Sequence, residues 1–165
     1  MTDVAEILQH IRGLAGCEVY APERQPEVTP PHALPEDLRR FYSLCGGLRL
    51  FEGAEYPAFF SRPKELVPAN PVIIGEQVDD DISASWHIIA NDGSGEYLTI
   101  DLNPARLGRC YDSFSDRHGV AGSCPIIATS FTDLLERLVG NQGRHWYWLE
   151  PGFRSLGDAY DSLST

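Results

Sequence analysis

The stretch WHIIANDGSGEYLTIDL, from Trp86 to Leu102, decides how this chain is read. Two apolar, β-rich runs flank NDGSGE, a group of turn formers and acids. Such a tip either cradles a phosphate or turns the chain between two strands. A phosphate cradle needs a glycine loop that opens a helix, whose free amides and dipole meet the anion. After Gly95, however, Leu98, Ile100 and Leu102 alternate with Tyr97, Thr99 and Asp101, and a period of two means strand. No Lys-Ser or Lys-Thr pair follows, and Asp92 and Glu96 would repel a phosphate. The stretch therefore predicts a hairpin or bulged turn in which Gly93 and Gly95 supply positive φ angles. A calcium ion fits less well, since these two acids fall short of the six or so oxygens it takes.

Upstream, Val4, Ile7, Leu8 and Ile11 recur at helical spacing over residues 3–15, with Asp3 and Glu6 as a capping pair and Gly16 as the stop. CEVY is a short strand candidate. The connector APERQPEVTPPHALP is too rich in proline for a helix and reads as an extended arm. In LPEDLRRFYSLCGG, Pro35 opens a helix, and Glu36 and Asp37 suit its dipole. Leu38, Phe41, Tyr42 and Cys45 form its apolar stripe, and Gly46-Gly47 reads as a left-handed stop. LRLF alternates like a strand, residues 52–70 are irregular, and PVIIGEQV reads as a strand ended by Asp79, Asp80 and Asp81.

Downstream of the hairpin, RLGRCYDSF reads as a strand entered through a turn at Asn103-Pro104. Ser130 and Asp133 cap a helix with Phe131, Leu134, Leu135, Leu138 and Val139 facing the core, closed by Gly140. The last segment holds an aromatic strand candidate around Trp146, Tyr147 and Trp148. After it comes a weak helix with Leu156, Ala159, Tyr160 and Leu163. The strands meet through short turns, so the fold class is α+β: a single domain over residues 1–165 with a mainly antiparallel sheet.

With 165 residues the chain buries roughly 70% of its extended surface and needs no staple. No run approaches the ~20 apolar residues that span a bilayer, and the amphipathic, acid-containing N-terminus lacks the marks of a signal peptide. The protein is read as cytoplasmic, with its four cysteines reduced. A net charge of −11 disfavours nucleic acid and anionic membranes and draws a basic partner, although solubility alone explains it equally.

The order of LPEDLRRFYSLCGG, WHIIANDGSGEYLTIDL, GRCYDSF and IIATSFTDLLERLV resembles the SUKH superfamily over roughly Leu34 to Val139. That group includes bacterial toxin-immunity proteins and fungal cell-wall-synthesis regulators of the Smi/Knr type. The resemblance implies an α+β domain with a twisted, mostly antiparallel sheet flanked by helices. It also implies a protein-binding role without catalytic residues or cofactor. Carried over from it as structural positions are Gly46, Gly47, Gly93, Gly95 and Asp101. The segment after Asn141 has no identified counterpart.

Two surface features are candidates for binding a protein partner. Asp79, Asp80 and Asp81, together with Asp92 and Glu96, form one negative patch if the sheet brings their loops to one edge. Such a patch would engage the arginines and lysines of a basic toxin domain; the alternative is a merely solvated loop. Trp146 and Trp148 supply large rings that either anchor an interface or pack beneath the C-terminal segment. A reading from another class is a small hydrolase or metal-dependent enzyme built on the loop between Cys110 and Cys124, with His118 as base or ligand. The gaps of seven and five residues match no zinc pattern, and no orienting third group is evident. The expectation is therefore a cytosolic immunity protein that occludes its toxin, with an intracellular regulatory scaffold as the alternative among binding proteins.

Overall fold

The structure, a computed structural model, describes residues 3–161. Its frame is a seven-stranded antiparallel sheet in which spatial order follows chain order. The strands are β1 (Glu18–Val19), β2 (Leu48–Leu50), β3 (Ala58–Phe60), β4 (Trp86–Asn91), β5 (Tyr97–Asp101), β6 (Cys110–Ser113) and β7 (Ile126–Ala128). The predicted hairpin is β4–β5, paired from Trp86↔Asp101 to Asn91↔Tyr97. Between Ile88 and Ala90 the register shifts by a bulge. The extra residue lets Ile89 and Ala90 both join the large core, while Trp86 and Ile88 face the other side of the sheet.

Helices α1 (Val4–Arg12), α2 (Glu36–Leu44) and α4 (Phe131–Asn141) cover one face. Asp3 caps α1 through the Ala5 amide, and its carboxylate accepts from Nε and Nη2 of Arg40 on α2 at 2.9 and 3.0 Å. Ser130 caps α4 through the Asp133 amide, as its sequence position predicts. Asp37 of α2 reaches across to the Thr132 amide and hydroxyl, fastening the start of α4. The apolar stripes of the three helices meet β2 to β5, and the Phe41 and Phe131 rings lie 4.7 Å apart at the centre. Truncating either ring to alanine would cost about 3–5 kcal/mol.

The other face carries a smaller core around Trp86, Tyr111, Cys124, Ile126 and Ala159. Over it fold a fourth helix, α3 (Ala69–Ile73), a 3-10 turn (Ile82–Ser85), the loop from Ser115 to Cys124, and the C-terminal segment.

Several expectations are corrected. Residues 71–78 are not a strand. Pro71 sits in the first turn of α3, where a missing amide costs no helical hydrogen bond. Asn70, fully enclosed beside it, is held by Ser83 and His118. α1 stops at Arg12, capped by Gly13 rather than Gly16. The helix in LPEDLRRFYSLCGG begins at Glu36, with Pro35 as its cap, and ends in extended backbone at Cys45. Only Gly47 there has positive φ, at 109°. Gly46 is needed for closeness instead, since a Cβ would lie 2.5 Å from the Ala21 carbonyl.

Gly140 does not close α4. The helix runs on to Asn141, and Gln142 takes the left-handed cap. No strand forms at Trp146–Trp148, where Tyr147–Leu149 make a 3-10 turn. The predicted helix through Leu156 and Tyr160 is absent over residues 156–160, which pass as loop with an isolated bridge, Pro125↔Asp158. Leu163 lies outside the described residues. The short strands β3 and β7 were not expected.

Candidate partner-binding surface

The hairpin tip is a turn, not an anion cradle. Gly93 and Gly95 have φ of 83° and 102°, and the chain enters β5 immediately afterwards. The Asp92 carboxylate occupies the tip itself, accepting from the Ser94 amide and hydroxyl and from the Glu96 amide at 2.7–3.1 Å. Glu96 accepts from the Ser115 amide. Both acids thus accept from the protein's own backbone, Asp92 within its turn and Glu96 from the start of the loop after β6.

Asp79, Asp80 and Asp81 sit at the opposite end of the hairpin, near the 3-10 turn at Pro104–Arg106. The six residues of β4 separate the two groups by roughly 20 Å. The single acidic patch expected from the sequence therefore divides in two. Asp79 and Asp80 are exposed. Asp81 is half-buried, caps the Ile82–Ser85 turn through the Ser83 amide, and accepts from the Tyr160 hydroxyl at 2.8 Å. Burial opposes its ionisation, but the Ser83 and Tyr160 hydrogen bonds outweigh burial and hold its carboxyl below the usual range.

Asp101 supports this end of the sheet from inside. Fully buried, it accepts from the Ser85 hydroxyl at 2.6 Å, the Asn103 amide at 3.0 Å, Arg106 Nε at 3.0 Å and the Tyr111 hydroxyl at 2.6 Å. A buried carboxylate persists only when its lone pairs are filled in this way. It ties the loops on either side of Asp79–Asp81 to the sheet. Asp112 has the equivalent role at the C-terminal segment, accepting from the Phe114 amide, from Arg117 and from the Trp148 indole.

Trp148 is only 6% exposed, and its ring stacks on Trp146 at 5.3 Å. Trp146 is half-buried and also packs against Tyr56 and Phe114. The structure thus gives these rings to packing, Trp148 entirely and Trp146 in part.

Cys110, His118 and Cys124 do not converge. Cys110 lies on β6 against the Gly108 and Ser130 carbonyls, Cys124 donates to the Arg117 carbonyl, and His118 is held by Asn70. Burial pushes the Cys124 thiol up to about 11 and Cys110 well above its ordinary value. Among the described residues no three His, Cys, Asp or Glu side chains are placed to hold a metal, and no helix is long and apolar enough to cross a membrane.

One further arrangement carries no signal in the sequence. His118 is 6% exposed; its Nε2 lies 2.6 Å from Asn70 Oδ1, while Nδ1 is buried without a hydrogen-bond partner. Burial brings its pKa down to about 4. His118, Asn70 and Ser83 line a cleft of about 330 Å3 with Asp80, Asp81, Ile74 and Val78. Asn70 and His118 stand 48 positions apart, a separation at which spacing carries no signal.

Comparison with known proteins decides the family. The model of the SMI1 / KNR4 family (SUKH-1) matches residues 31–137. The chain belongs to that family. Immunity protein YokJ of Bacillus subtilis (strain 168) is 49% identical over 157 residues, covering 95% of each chain. No solved structure matches. The SUKH-1 match takes in α2 through most of α4, hence β2 to β7 and the Asp101 network, while the likeness to YokJ extends over nearly the whole chain.

Proposed function

We propose that this SUKH-1 protein is an immunity protein that neutralises a toxin by binding it, inside the cell and without catalysis. The observation that carries the reading is its 49% identity to Immunity protein YokJ across 95% of both chains. Internal chemistry supports a binding role. The buried acids Asp101 and Asp112 spend their lone pairs on the protein's own donors, and the buried thiols Cys45, Cys110 and Cys124 are held protonated. The partner is a basic toxin domain: a surface carrying −11 accelerates and orients such an encounter.

The test is co-expression with any toxin encoded by a neighbouring gene. Cells carrying both grow, and the two proteins co-purify with an association rate that falls steeply as salt rises. Cells that die despite full expression of the immunity protein would overturn the reading.

A further inference from the structure

The cleft beneath Asp80 and Asp81 has the chemistry of a receptor for one side chain. One wall is apolar, from Ile74 and Val78; the floor is Asn70, Ser83 and His118; the mouth carries the two carboxylates. Among the described residues no cationic side chain lines it. Asn70 Nδ2 donates to Ser83 Oγ, which turns its Oδ1 toward His118 Nε2. That nitrogen therefore carries the imidazole proton, and Nδ1 is left as a bare acceptor. It is enclosed, on a residue 6% exposed, and has no hydrogen-bond partner among the described residues. Buried acceptors in folded proteins are nearly always satisfied, so an unpaired one on a residue that lines a cleft points to a donor brought from outside.

Resting on the binding role set out above, we infer that this cleft receives an arginine side chain of the protein partner, whose guanidinium meets Asp80, Asp81 and His118. The ligand must bring hydrogen-bond donors, because the cleft offers acceptors. It must be positive, because two carboxylates stand at the mouth. Guanidinium supplies five N–H groups in a fixed fork, enough for a carboxylate and a ring nitrogen together. Its three-methylene stem suits the wall formed by Ile74 and Val78. Asp81 uses Oδ2 for the Ser83 amide and the Tyr160 hydroxyl. An anion would be repelled, and an apolar side chain would leave every acceptor unmet.

The surroundings are those of an interface. Val72, Ile74 and Val120 are 45%, 49% and 48% exposed, and all three belong to the two segments that frame the cleft. Apolar side chains that exclude water around one seated arginine are the anatomy of a binding hot spot.

The test has two arms. In the first, the protein labelled at histidine nitrogen is titrated with N-acetyl-arginine methylamide and with its citrulline counterpart, which has the same shape without the charge. The arginine compound should shift the His118 Nδ1 resonance saturably, and Asp80→Asn should weaken that response; the citrulline compound should leave it in place. Equal responses to both, or none to either, would overturn the inference. In the second arm, Asp80→Arg is measured against the toxin partner after its melting temperature is shown to match the parent. Because Asp80 is exposed, the fold tolerates the change, and affinity should drop about tenfold or more. Unchanged affinity refutes the cleft as the arginine site while the immunity reading stands; failure of the unmodified protein to protect cells refutes that reading and leaves the arginine titration decisive for the cleft.

Discussion

The Tyr111 hydroxyl donates to the buried Asp101 carboxylate across 2.6 Å, tying β6 to the end of β5. Both residues have no exposed surface, so neither can turn to water if the other is lost. Tyr111→Phe should lower stability by about 1.5–3 kcal/mol, the worth of a hydrogen bond to a charged group. Asp101→Ala should cost about 3–5 kcal/mol, because it strands Arg106 and two hydroxyls in the interior. Urea denaturation of the two variants separates these outcomes.

Acid should destabilise the protein through its buried histidines. Burial takes both His87 and His118 down to about 4, against an ordinary value near 6.5. Between those limits the unfolded chain binds more protons than the folded one, so stability falls as pH falls from about 6.5 to about 4. Each histidine contributes a slope of up to about 1.4 kcal/mol per pH unit. Asp112 works the other way at the low end, because its burial raises its carboxyl despite its hydrogen bonds and Arg117. Chemical denaturation across this range should show the slope, and His87→Gln should remove about half of it.

Two glycines should respond very differently to alanine. At Gly47, φ is 109° and a Cβ would lie 3.0 and 3.1 Å from the carbonyl oxygens of Phe60 and Ser61, so strain and collision add. Gly47→Ala should cost about 3 kcal/mol or more. At Gly95, φ is also positive but the space is open, and Gly95→Ala should cost only about 1–2 kcal/mol. Thermal melts of the two variants give the contrast directly.

Ending the chain at Arg154 tests whether the last segment packs or only binds. Gly157 and Ala159 bond to Ile126 and Cys124 along the outer side of β7, and the Tyr160 ring lies 6.0 Å from Trp86. Their removal should lower stability by about 3 kcal/mol or more and reduce solubility, as read by melting and by sedimentation.

The elements legible in the sequence were those whose periodicity survives in one face. Leu38, Phe41 and Tyr42 announce α2, Leu134 and Leu138 announce α4, and Leu98 with Ile100 announces β5. What escaped was short or set by distant partners. β3 and β7 have three residues each, too few for a period to appear. Val72, Ile73 and Ile74 read as strand because their β-branched composition says so, but Asn70 is held by His118 and Ser83 and fixes a helical turn. The same limit hid the cleft. Asp79 to Asp81 stood out as charge, whereas the histidine and amide beneath them come together only once the loop after β6 has folded over the sheet.

Strand order that simply follows the chain leaves a first and a last edge, and each is a place where a neighbouring molecule could add a strand. Both are closed in this protein. The outer rim of β7 is taken by the backbone of Gly157 and Ala159, and β1 has two residues followed by an arm rich in proline. Among the described residues neither rim therefore offers a long row of unpaired backbone groups for a neighbouring sheet to extend, and contact with another protein is left to side chains.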